Sequence, residues 1–166
     1  MPWPEVQTCT SVQGGEPGLL CNGQLFLSTQ RIPHIHTHTF ELASRLGVQK
    51  HGVWDIPAER VTKYGNVNHF YLSLAWYARR ELQEGNKSGR VVSYVVSTNA
   101  SGTPRWSIVC RVLDEGEGSL GYAQEPTATR QGLHTLFDLK HAMIVVDQDS
   151  QNAVRWNLVT AYPVAL

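Results

Sequence analysis

The chain has 166 residues, 42% of them hydrophobic, with 14 basic and 14 acidic residues and a formal net charge of zero. This length and apolar content suit one domain with one core, and no run of about 18 apolar residues is present to cross a membrane. All 14 basic residues but only 12 acidic ones lie from Arg31 onward, leaving that part at +2. Such a balance excludes a long nucleic-acid track but leaves room for a local phosphate patch.

Residues 1–30 read as a polar linker segment outside the main core. Pro2, Pro4, Gly14, Gly15, Pro17 and Gly18 break any regular pattern, and only Leu19 to Leu27 is apolar enough for a strand or an edge contact. The segment holds no Lys or Arg, so the basic start of a secretory signal is not expected in it. Cys9, Cys21 and Cys110 make an odd count without CxxC spacing. They are expected to act as small hydrophobes, with a Cys9–Cys21 bridge left open.

Residues 31–166 read as the folded domain. Phe40, Ala43 and Leu46 recur at helical spacing and predict a helix over residues 37–46, ended by Gly47. A second helix is predicted over residues 68–84, with Phe70, Leu74, Tyr77 and Ala78 as its apolar stripe, Asn68 as cap and Gly85 as stop. Residues 90–97 and 106–113 are rich in Val, Ile and aromatics and predict a hairpin around the 99–104 turn. Residues 114–135 read as a long connection. Residues 142–146 and 154–162 then predict two closing strands. Helices followed by a strand meander give an α+β fold, with N-terminal helices packed on a twisted antiparallel sheet.

Two places carry chemistry. His34, His36 and His38 alternate. In a strand they would share a face, as zinc ligands can, whereas on a helix they spread by about 100° per residue. Pro33 favours the helix. Three readings stay open: a metal site, surface or capping histidines, and one catalytic histidine. In the last strand a period of two puts Trp156, Leu158, Thr160 and Tyr162 on one face. The two hydroxyls at its end could orient a phosphate or a histidine, and Pro163 is expected to stop the pairing.

Segment 34–46 resembles the opening helix of the RNase A-like toxin domain of bacterial contact-dependent growth inhibition proteins and related polymorphic toxins. In that family a histidine is followed eleven residues later by Arg-Leu, with a Leu three residues before the Arg. His34, Leu42, Arg45 and Leu46 match. Residues 68–82 resemble the family's next helix and residues 159–163 its closing strand, so the discontinuous likeness runs from about residue 34 to the end. A Thr-Ala-Tyr-Pro tail alone is weakly specific; the His-to-Arg spacing and the element order add to it. The chain departs from the family in its three histidines, its zero charge and its long connections at 47–67 and 114–135.

The resemblance implies an RNase A-like fold and a metal-independent endoribonuclease without cofactor. Its site would hold His34, Arg45, Thr160 and Tyr162, and the product would be a 2′,3′-cyclic phosphate. It also implies delivery from a producing bacterium into the target-cell cytoplasm, an RNA substrate (commonly tRNA) and a cognate immunity protein. On an unbroken helix, His34 and Arg45 would share a side yet stand about 16 Å apart, so a bend is expected near residues 36–37. A second acid–base histidine is not singled out among His69, His134 and His141. The alternatives are a metal-dependent hydrolase using His34, His36 and His38, and a non-enzymatic binding module of a secretion system.

Overall fold

The computed structural model of the chain describes residues 6–10, 17–36, 50–56, 61, 66–126, 133–136 and 138–166. In chain order these form β1 (Val6–Thr10), β2 (Pro17–Cys21), β3 (Leu25–Ser28), α1 (Ile32–His36), β4 (Lys50–Trp54), α2 (Val67–Gln83), β5 (Val91–Thr98), β6 (Pro104–Arg111), β7 (Gly121–Pro126), β8 (Leu133–Leu136), β9 (His141–Gln148) and β10 (Trp156–Ala165). The fold is α+β and dominated by its sheet. The helix expected over residues 37–46 lies outside the described residues.

Strand β10 is the hub. On one side it pairs antiparallel with β9 from Trp156 to Val164, and β9 leads on to β6 and the edge strand β5. On its other side it meets two strands in turn. Trp156 and Asn157 run parallel to Leu25 and Phe26 of β3, which continues to β2 and β1. Farther along, Val164 and Ala165 run antiparallel to β4, which continues to β7 and β8. The sheet is therefore mixed, not wholly antiparallel. β3 and β10 are far apart in sequence, so no hairpin dictates their relative direction.

Helix α2 covers one face. Asn66, not Asn68, caps it: its side-chain oxygen accepts from the backbone N–H groups of Asn68 and His69, each at 3.0 Å. Gly85 at φ +84 follows the last turn in the left-handed conformation that glycine tolerates best. Phe70, Tyr71, Leu72, Ala75 and Ala78 are buried in a cluster with Ile108, Ile144, Trp156 and Leu158 from the sheet. Trp54 adds an edge contact to Phe70, with ring centroids 5.9 Å apart, and its indole N–H donates to the Ala161 carbonyl at 3.0 Å.

The two terminal nitrogens of the buried Arg79 donate to the side-chain amide oxygens of Gln83 and Gln24, at 3.0 and 2.9 Å, while its Nε has no partner among the described residues. The guanidinium lies 5.6 Å from the centre of the Trp156 ring. Both of its contacts with sheet-side residues engage segments distant in sequence.

Several expectations change. Residues 17–28, read as linker, supply two strands and bury Cys21, Leu25 and Leu27 in the main core. Pairing to β10 recruits a short apolar stretch that local reading leaves isolated. The connections 47–67 and 114–135 contain β4, β7 and β8; these strands become visible only through their partners. Pro163 does not end β10, because it stands opposite Ala142 within the β9 ladder. Pairing with β4 covers Val164 and Ala165 and goes no further toward Pro163, so the missing N–H matters on that side alone.

The shared face expected for β10 is also broken. The register passes from Leu158 opposite Val146 directly to Thr160 opposite Val145, leaving Val159 as an extra residue. This β-bulge reverses which side chains face α2. Trp156, Leu158 and Ala161 join the cluster beneath the helix, whereas Tyr162 and Val164 pack with Val109 and Met143 on the opposite face.

Candidate functional site

A cleft of about 770 Å³ opens beside the first half of β10. Its floor is set by one row across the sheet, in which Phe26 stands opposite Asn157 and Asn157 opposite Asp147. By strand alternation from the buried Leu25 and Trp156, this row lies on the face away from α2. Its rim comes from α1 and the 149–155 turn.

Local sequence explains how α1 presents its polar groups. Pro33 occupies the first turn, where its missing N–H costs nothing. Ile35 is fully buried and anchors the helix, while Arg31 and His34, one turn apart, stay exposed and line the cleft. α1 packs against β10.

The two acids of the cleft are engaged in holding the frame. Asp147 accepts from the Arg105 guanidinium at 2.6 and 2.9 Å and from the Asn99 amide at 3.0 Å. Asp149 accepts from the backbone N–H groups of Gln151 and Asn152, at 2.9 and 3.1 Å, and from the Asn157 amide at 3.2 Å. That second set fixes the turn carrying Arg155. The Arg155 Nε is buried and has no hydrogen-bond partner among the described residues. A donor in that state costs free energy unless a ligand or water satisfies it. Arg31, Arg155 and His34 thus stand around a cleft whose carboxylates are already occupied.

No known protein family, curated protein or solved structure matches the chain.

The residues expected to act together are brought together only in part. His34 lines the cleft, and Arg45 and His38 lie outside the described residues. Thr160 and Tyr162 do not line it. They follow farther along β10, on the cleft's own face of the sheet, because the Val159 bulge turns them there. Thr160 is half-buried. Tyr162 is buried beside Val109, Met143 and Val164, and burial pushes its hydroxyl up to about 12.

His34 is the only histidine among the described residues that lines the cleft. His141 stands opposite Val164 at the far end of β9, where burial and then the Arg111 charge lower its pKa. His69 lies in the first turn of α2 and His134 in β8. Among the described residues no group of three His, Cys, Asp or Glu could hold a metal ion. On helical α1, positions 34 and 36 are about 200° apart, unlike the one-sided arrangement a shared metal needs.

Arg31 and Arg155 were not singled out from sequence. Arg31 carries a local signal, one helical turn before His34. Arg155 carries none, since only the parallel pairing of β10 with β3 brings its turn to α1.

Proposed function

We propose that the chain is an RNase A-like toxin domain, a metal-independent endoribonuclease that cleaves RNA by transphosphorylation in this cleft. One observation carries the reading: the cleft joins an exposed histidine to two arginines, one with a buried donor that has no partner among the described residues, while its carboxylates are bound elsewhere. RNA brings its own nucleophile. Cleavage therefore needs a base for the 2′-OH proton, an acid for the leaving 5′-oxygen, and cationic donors for the crowded phosphate.

In this reading His34 removes the proton as the 2′-oxygen bonds to phosphorus. The bond from phosphorus to the 5′-oxygen breaks, and that oxygen takes a proton from a solvent water, whose hydroxide recovers the proton held by His34, leaving a 2′,3′-cyclic phosphate and a 5′-OH. Arg31 and Arg155 hold the phosphate oxygens, for which a planar, permanently charged guanidinium is suited. Arg45 would add to that cationic set, and Thr160 would orient the phosphate or the histidine. The depth of Tyr162 assigns it to supporting the Thr160 segment of β10. The same reading carries the expected delivery into a target-cell cytoplasm, a tRNA substrate and an immunity protein that blocks the cleft.

The test is incubation of the protein with total RNA, with and without EDTA, followed by mapping of the cut ends. Cleavage that leaves cyclic phosphate, persists in EDTA and disappears in His34→Ala is the expected result. Intact RNA would overturn the proposal in favour of a binding module, and EDTA-sensitive cutting would favour a metal-dependent hydrolase.

A further inference from the structure

Among the described residues strand β5 pairs with β6 alone and forms an edge of the sheet. Native edges are normally guarded by charges, proline or a cover. β5 reads Val-Val-Ser-Tyr-Val-Val-Ser-Thr, without charge or proline, and Val92, Tyr94, Val95 and Val96 are 51–63% exposed. Both of its ends are closed. At the start, the Asn86 amide donates to the Val91 carbonyl at 2.9 Å and accepts from the Val91 N–H at 3.0 Å. At the finish, the Asn99 side chain ties up the 99–103 turn through the N–H groups of Ser101 and Thr103.

A bulge at Val92, where Val91 stands opposite Cys110 and Ser93 opposite Val109, leaves Ser93 to Ser97 as the regular stretch symmetric about Val95. We infer that β5 pairs antiparallel with β5 of a second copy of this chain, about a two-fold axis at Val95. Such an axis keeps each face of the sheet on its own side, so paired residues must have the same orientation. Centred on Val95, the register sets Tyr94 opposite Val96, Ser93 opposite Ser97, and Val95 opposite its own copy.

Aromatic with β-branched and hydroxyl with hydroxyl are favourable cross-strand pairs. This stretch carries no charge that calls for an oppositely charged partner, and a chain of zero net charge opposes its own pairing little. The pairing uses up both β5 edges, so the assembly closes at two copies.

Sedimentation velocity over a concentration series tests this, with Val95→Lys as the disrupting variant; Val95 is exposed, so the fold should keep its circular dichroism. The expected result is a reversible monomer–dimer equilibrium for the native chain and a monomer for the variant. Val95→Cys under mild oxidation should also give a disulfide-linked dimer that the native chain does not form. A native chain that stays monomeric, a dimer unaffected by Val95→Lys, or open-ended aggregates would each overturn the proposal. RNA cleavage is read separately, so either result stands without the other.

Discussion

At the residue scale, Arg155 is the most informative side chain of the candidate site. Its turn is fixed by Asp149, and its backbone N–H is spent on the Asn152 carbonyl. The guanidinium is therefore placed by the frame, while its Nε has no acceptor among the described residues. A hydrogen bond to a charged group contributes about 1.5–3 kcal/mol. Arg155→Gln should accordingly lower RNA cleavage by about ten- to a hundredfold, with little change in urea-unfolding stability. Kinetics and denaturation on the same preparation check this, and a variant as active as the native chain would remove Arg155 from the site. In the proposed mechanism His34 differs in kind, because its replacement would remove the proposed proton acceptor and should abolish cleavage outright.

At the element scale, the bulge in β10 matters more than any one contact. Val159 is the extra residue between two stretches of ladder whose side chains face opposite ways. Deleting Val159 would leave Leu158 and Thr160 consecutive opposite Val146 and Val145, a regular ladder in which residues 160–165 keep their partners and faces. The expected outcome is a retained cooperative unfolding transition, followed by thermal circular dichroism. Loss of that transition would show that the bulge itself is needed for folding. Helix α2 offers a gentler probe. Asn66 satisfies two N–H groups at the helix start, so Asn66→Ala should cost about 1 kcal/mol in urea unfolding.

At the scale of the whole molecule, burial sets the response to alkali. It pushes the thiols of Cys21 and Cys110 and the Tyr162 hydroxyl each up to about 12. In the unfolded chain these groups release protons from about pH 8.5 to 10. The folded state therefore binds protons more tightly. Its advantage is complete below that range and is lost as pH rises toward 12. Urea-unfolding stability should fall above about pH 9, and Tyr162→Phe should reduce the slope. A profile flat to pH 11 in the native chain would contradict the burial of these groups.

How much was legible from the residues differs element by element. Helix α2 and strands β5, β6, β9 and β10 follow from apolar period and turn residues, signals that act within a few positions. β2, β3, β4, β7 and β8 are only four to six residues long, too short for a clear apolar period, and β3, β4 and β7 also pair with strands distant in sequence, so local patterns underrate them. Within the candidate site, His34 was visible as a residue type in a suitable place. Arg31 was visible only as its neighbour, and Arg155 was hidden because its proximity to α1 depends on β10 running beside β3.

By itself, the sequence determined the α+β class, the main amphipathic helix and the hydroxyl-bearing end of the last strand. Those properties are written in composition and short-range periodicity. Tertiary structure alone decided that β10 is a hub with partners on both sides and that Val159 bulges. The bulge, in turn, decided which face Thr160 and Tyr162 occupy. A strand's period specifies only which residues alternate. Which set points to the core is fixed by registers with β9 and β3, and a single extra residue reverses the answer halfway along the strand.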